Sequence, residues 1–407
     1  MLHEDTLIVT LAVSLGFAFV FGLAAVSLRM PPLVGYLLAG IALSPYTPGL
    51  VADEHLAPQL SEIGVMLLMF SVGTHFSLRD LLAVRGIAIP GALAQILVAT
   101  ALGAGMAHLW GWPLGSGLLF GLALSVASTV VLLRALEQQG TLASEDGRIA
   151  VGWLVVEDLI TVLALVLLPA LAGVLGGEPP AGQAPGNLGL TLAVTLGKVA
   201  LFVALMLIVG ARVFPWILRR VVRTQSRELF TLAAIALALG VAYGSAKLFD
   251  VSVALGAFFA GMVISRSETR QQTETYLQPL QDTFAALFFV AVGMLFKPSV
   301  LLEHPLEVLE VLAIIVIGKS LAALLIVRLL GRSLDTALSV AAALAQIGEF
   351  SFILAVMGIT LKVLPPQAQQ YIVAGALLSI MLNPLVFAIL GRLRAPAPPA
   401  AGGTRTT

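Results

Sequence analysis

Residues 152–169, from Gly152 to Pro169, read GWLVVEDLITVLALVLLP. Almost every side chain is apolar, and the run approaches the roughly 20 residues a helix needs to cross a bilayer. Glu157 and Asp158 stand side by side in its middle. Insertion into a membrane charges about 2.5–3.5 kcal/mol for one Asp at a helix centre. Two adjacent carboxylates therefore mark either a working site or a charge pair that locks a helix bundle.

The rest of the chain has the same apolar character. Of 407 residues, 59% are hydrophobic and 11% are charged, whereas soluble domains carry about 25% charged residues. The composition predicts an all-α polytopic membrane protein. With no cysteine, disulfide and zinc–thiolate chemistry are excluded. No Gly-rich phosphate loop followed by Lys-Ser or Lys-Thr is present, which argues against an ATP-driven pump. No TVGYG-like filter or arginine-repeat voltage sensor occurs either. Near the N-terminus, His3, Glu4 and Asp5 stand where a secretory signal carries basic residues, so the apolar run after them reads as a retained first helix.

Thirteen apolar segments are expected, near 6–29, 32–46, 59–77, 85–108, 115–137, 149–175, 189–218, 228–247, 251–265, 280–297, 307–331, 335–360 and 369–392. Threading them alternately through a bilayer gathers all 17 arginines at one side and leaves only Lys247, Lys297 and Lys362 at the other. The positive-inside rule then places the N-terminus outside and the C-terminus in the cytoplasm. An internal repeat supports the same map. VGYLLAGIALS (Val34–Ser44) and LGAFFAGMVIS (Leu255–Ser265) align at a spacing of 221 residues. The following helices match more loosely, Val72-Gly73 against Val292-Gly293. Seven helices separate the two starts, and seven is odd, so the units run in opposite directions across the membrane. Expected are a transmembrane domain over 1–393 (repeat one 31–175, linking helices 189–247, repeat two 251–392) and a linker-like tail at 394–407. Inverted repeats are characteristic of secondary transporters, whose ion sites lie near the midplane where broken helices meet.

Other intramembrane polar residues fall on related segments. Ser128 and Thr129 lie in LALSVASTVVLL, Gln346 and Glu349 in AAALAQIGEFSFIL, Lys319 in IIVIGKSLAA, and Asn383 next to Pro384. Hydroxyl and amide residues in mid-membrane suit helix unwinding, because they satisfy freed backbone groups. Asp158, Glu157, Ser128, Thr129 and Gln346 offer only oxygen ligands to a metal, the set a hard monovalent cation wants. Ordinary interhelical hydrogen bonds explain Ser128, Thr129 and Gln346 as well. A buried Lys319 needs a partner, and Asp158 or Glu157 is the simplest; a purely structural pair is the alternative. Glu349, with Glu62 and Asp282, reads as a helix-terminus residue or as lining for a water-filled approach.

Taken together, LVGYLLAGIALSPYTPG, LMFSVGTHFSLRDL, ASTVVLLRALEQQG, GWLVVEDL, LGAFFAGM, LFFVAVGMLF and AQIGEFSFIL resemble the bacterial monovalent cation:proton antiporter-2 superfamily, its Kef/YbaL branch in particular. The likeness runs from about Leu7 to Leu393. It implies the sodium/proton-antiporter fold with crossed unwound helices, a homodimer, and elevator-like alternating access in the bacterial inner membrane. Asp158 matches the family's transport carboxylate, Lys319 its buried basic residue, and Ser128-Thr129 the first unwound stretch. The implied function is exchange of K+ for H+, without a cofactor in this chain. Na+/H+ exchange on the same scaffold, a gated K+ efflux channel and a sodium-coupled symporter for an organic anion are the rival readings. Two features depart from the family pattern. Its members carry Gln-Asp, Asn-Asp or Asp-Asp where this chain has Glu157-Asp158. They also continue into a cytoplasmic nucleotide-binding regulatory domain, whereas here RLRAPAPPAAGGTRTT closes the sequence.

Overall fold

The computed structural model describes residues 6–28, 30–47, 56–75, 78–142, 144–178, 188–249 and 252–392. The tail expected at 394–407 lies outside them, as does most of the Gly/Pro-rich loop near 176–188.

All regular structure among the described residues is helical. In the first half lie α1 (Thr6–Ser27), α2 (Pro32–Ala42), α3 (Leu56–His75), α4 (Leu78–Leu109), α5 (Leu114–Ser125), α6 (Thr129–Gln138) and α7 (Glu145–Leu171). Next come α8 (Leu188–Leu205), α9 (Ala211–Val222) and α10 (Arg227–Phe249). The second half holds α11 (Val253–Ser265), α12 (Arg270–Met294), the short α13 (Val300–Glu303), α14 (Pro305–Ala313), α15 (Lys319–Leu329), α16 (Leu334–Leu344), α17 (Glu349–Thr360) and α18 (Pro366–Gly391). Single π turns at Met206–Gly210 and Ile314–Gly318 join α8 to α9 and α14 to α15.

Local chemistry sets the helix starts. Pro32 and Pro366 occupy first-turn positions, where a missing N–H costs nothing. Ser144, Ser252 and Ser333 cap α7, α11 and α16 by accepting the backbone N–H of Gly147, Leu255 and Thr336. Glu145 and Asp146 follow Ser144 in the first turn of α7, where the helix dipole favours acids.

Nine helices among the described residues are long and apolar enough to cross a membrane, and the α16–α17 pair, bent by 47°, makes a tenth if counted as one span. Residues 32–42, 62–74 and 253–265 form shorter apolar helices. Thirteen crossings are thus more than length and composition alone support. Segment 115–137 is two helices, α5 and α6, and 335–360 is likewise split into α16 and α17. The charged stretch 266–279, which lies between the expected segments 251–265 and 280–297, is helical from Arg270 onward. Its Gln, Glu and Arg residues are good helix formers invisible to hydropathy, and Arg270 reaches Glu274 one turn on at 2.8 Å.

The helices pack as two groups. One contains α1, α2, α3, α10, α11 and α12; the other contains α4 to α7 and α14 to α18. Within the first group, two crossings are so close that only glycine fits. A Cβ on Gly40 would fall on the Val290 carbonyl oxygen and lie 2.8 Å from Gly293 Cα. One on Gly261 would fall on the Phe70 carbonyl oxygen and lie 2.9 Å from Thr74 N, with Gly73 facing the Phe258 carbonyl in return. The partners exchange one for one: α2 crosses α12 as α11 crosses α3. Because the obstacles are backbone atoms, they cannot rotate away. Gly40→Ala is expected to destabilise by about 1–3 kcal/mol or more, whereas Gly86→Ala, inside α4 and with nothing within 4 Å of its Cβ, is expected to be neutral or to stabilise by up to about 1 kcal/mol. Thermal midpoints of the two variants in detergent check this.

Polar contacts tie neighbouring helix ends together. Arg332 pairs with Glu145 at 2.6 Å and Thr336 donates to Asp146 at 2.7 Å. At the other end Lys362 pairs with Glu178 at 2.7 Å, and the Lys297 ammonium sits 4.7 Å from the Tyr46 ring centroid.

Candidate functional site

Two interruptions meet in the second helix group. Between α5 and α6, residues 126–128 are extended, with Val126 at φ −94°, ψ 125° and Ser128 at φ −82°, ψ 127°. Between α16 and α17, residues 345–348 leave the helix, and Gly348 is extended. The two breaks touch: a Cβ on Gly348 would fall on Ser128 Cα and sit 2.8 Å from Ser128 N.

An interrupted helix in an apolar interior leaves peptide groups without partners. Side chains supply them here. The Gln346 amide replaces a peptide: its Oε1 accepts the Ser128 N–H at 2.9 Å and its Nε2 donates to the Ser128 carbonyl at 3.2 Å. Glu157 Oε2 accepts the Ala127 N–H at 2.8 Å. Gln95 donates to the Ser125 carbonyl at 3.1 Å and Asn383 to the Ala342 carbonyl at 3.0 Å. Lys319, at the end of the π turn in its helix, donates to the Gln346 carbonyl at 3.1 Å; π turns recur at functional sites.

All the expected site residues therefore surround one crossing. Glu157, Lys319, Ser128 and Gln346 are fully buried, and Asp158 is 7% exposed. Thr129 Oγ1 donates to Asp158 Oδ2 at 3.3 Å. The sequence expects Asp158 or Glu157 as the partner of Lys319. No salt bridge joins Lys319 to a carboxylate among the described residues, and its Nζ donates instead to the Gln346 carbonyl at 3.1 Å. Glu157 and Asp158 are neighbours in a helix, about 100° apart around its axis, so a group facing one does not face the other.

The sequence puts Glu349 at a helix end or a water-filled approach, and it is at a helix end. That end, however, is the crossing itself. Glu349 is 1% exposed and accepts the Ser128 hydroxyl at 3.2 Å. Its signal in the sequence is its position directly after Gly348, in a polar break between apolar halves. Gln95, also buried at the break, carries no such signal, because a single amide in an apolar helix has many roles. One oxygen on each of the three carboxylates has no protein hydrogen-bond donor: Glu157 Oε1, Asp158 Oδ1 and Glu349 Oε1. The site thus concentrates acceptor oxygens around a single buried lysine, an arrangement suited to protons or a hard cation.

Residues 14–392 match the family model "Sodium/hydrogen exchanger, transmembrane". The chain is 57% identical over 390 residues to the putative cation/proton antiporter YbaL of Escherichia coli (strain K12), covering 96% of this chain and 69% of that protein. It is 32% identical over 391 residues to K(+) efflux antiporter 4 of Arabidopsis thaliana, covering 96% of this chain and 64% of that one. The chain thus spans about two thirds of the length of these relatives. Among solved structures, the sodium proton antiporter MjNhaP1 from Methanocaldococcus jannaschii superposes with a TM-score of 0.72 at 18% identity, over 94% of this chain and 98% of that one.

Proposed function

Because the chain belongs to the sodium/hydrogen exchanger family, a family of transporters rather than enzymes, we propose that it exchanges K+ for H+ by alternating access. The observation that carries this reading is Asp158: a buried carboxylate with one unpartnered oxygen, at the crossing of two broken helices. Burial penalises a bare carboxylate. Asp158 therefore holds a proton or a cation, and rarely neither, when its side of the membrane changes. Obligatory exchange follows without ATP.

In this reading Asp158 carries the exchanged ion, Ser128, Thr129 and Gln346 supply or position oxygen ligands, and Glu157 and Lys319 hold the broken backbone beside them through the Ala127 N–H and the Gln346 carbonyl. The π turn before Lys319 gives its helix room to adjust. K+ is favoured by the relatives named for K(+) efflux; Na+ exchange is the second reading. Two inverted repeats are part of the proposal, supported by α2, α5, α6 and α7 beginning ~220 residues before α11, α16, α17 and α18 and by the reciprocal glycine crossings. The first helix group would be the static partner, the site of homodimer contact, and the second the moving one. Thirteen crossings would place the N-terminus outside the bacterial inner membrane and the C-terminus, with any nucleotide-binding regulatory domain beyond it, in the cytoplasm.

Exchange in proteoliposomes with a pH dye tests the assignment. K+ and Rb+ are expected to dissipate a proton gradient at lower concentration than Na+ and Li+. The opposite order would favour Na+/H+ exchange, and cation flux without proton movement would make the protein a channel.

A further inference from the structure

We propose that Glu349 is a direct ligand of the transported cation, forming with Asp158 a two-carboxylate cradle across the helix crossing. The proposal deepens the reading of Asp158 as the transport carboxylate and rests on it.

Ser128 and Thr129 are consecutive, and their hydroxyls point at different acids. Ser128 Oγ donates to Glu349 Oε2 at 3.2 Å, and Thr129 Oγ1 donates to Asp158 Oδ2 at 3.3 Å. One dipeptide thus holds two carboxylates from two different helices, α17 and α7. Each acid is more than nine-tenths buried, and each keeps one oxygen without a protein partner, Glu349 Oε1 and Asp158 Oδ1. Through these adjacent hydroxyls, Glu349 and Asp158 flank the same unwound dipeptide.

No protein cation answers this pair. Lys319 is the only buried Lys or Arg among the described residues, and its Nζ is bonded to the Gln346 carbonyl rather than to a carboxylate. Glu157 holds the Ala127 N–H. Two like charges in a low-dielectric interior repel strongly, and a monovalent cation between their open oxygens removes that repulsion. Hydroxyl and carbonyl oxygens of the broken helices complete such a site in the manner of discontinuous transporter helices. Among the described residues no three His, Cys, Asp or Glu side chains converge as a metal cluster.

A purely structural role for Glu349, as an acid in the first turn of α17, makes a different prediction. Glu349→Gln keeps an oxygen that accepts the Ser128 hydroxyl and removes only the charge. If Glu349 is a ligand, E349Q raises the K+ concentration for half-maximal exchange by ~10-fold or more, since even outer-shell losses at metal sites cost 10–100-fold. It also loses the K+-dependent rise in thermal midpoint that wild type shows in detergent, measured against choline chloride at equal ionic strength. Glu349→Asp, which keeps the charge on a shorter stem, retains that stabilisation in part and alters the order of K+, Rb+ and Na+. Wild-type half-saturation and wild-type K+ stabilisation in E349Q would overturn the proposal. Should E349Q not fold, a wild-type half-saturation and ion order in E349D would overturn it equally. Failure of the underlying reading looks different: Asp158→Asn would then still exchange ions, whatever Glu349 does.

Discussion

Asp158→Asn abolishes cation-dependent proton movement in proteoliposomes while the protein remains folded. The substitution keeps side-chain volume and an oxygen able to accept the Thr129 hydroxyl, which lies 3.3 Å from Asp158 Oδ2. What it removes is the charge. A buried amide binds no proton in the working pH range and attracts a cation far less than a carboxylate does. Asp158 Oδ1 has no protein donor, so no hydrogen bond is lost on that side, and removing a buried like charge near Glu349 relieves repulsion rather than adding strain. Exchange is expected to fall below ~1% of wild type, a barrier increase of about 2.7 kcal/mol or more, with an unchanged or higher thermal midpoint. Full activity in this variant would remove Asp158 from the ion path.

Gly348→Ala has the second large effect, through backbone rather than charge. The new Cβ would fall on Ser128 Cα and lie 2.6 Å from Ser128 Cβ. Neither break can yield independently, because Gln346 ties the Ser128 N–H and carbonyl to the second break. Relief requires the two breaks to separate, which moves Ser128 and Thr129 away from their acids. A misplacement of about 1 Å at a reacting site can cost ~100-fold in rate, and a loss of that order in exchange is expected. Stability falls by about 1–3 kcal/mol as for other overpacked sites. The matched control is Gly105→Ala, whose Cβ meets nothing within 4 Å and which should exchange normally. Wild-type rates in G348A would mean that the closeness of the crossing is not required.

Much of this architecture is legible in the chain. Long apolar runs report bilayer spans, and the cost of intramembrane charge singles out Glu157, Asp158 and Lys319 by residue type and position alone. Ser128, Thr129 and Gln346 stand out as polar residues in mid-span, which serve either a broken backbone or a bond between helices. Three features are not legible. The bond of Lys319 to the Gln346 carbonyl depends on helix phase, in which adjacent residues differ by about 100°. The central position of Glu349 depends on where α16 stops, which is set by its contact with Ser128, distant in the sequence. The helical reach of α12 through 270–279 is hidden because hydropathy sees the membrane and not the helix. Close backbone crossings at Gly40 and Gly261 leave a trace in the repeat, yet their partners emerge only from packing.

The central claim is competition between proton and cation at Asp158, and its most direct test is proton release on cation binding. Purified protein in weakly buffered detergent solution is titrated with KCl while pH is recorded, with choline chloride as the ionic-strength control. The account predicts saturable release of protons by K+ in wild type and none in D158N. Saturable K+ binding without proton release, or release unchanged in D158N, would contradict it.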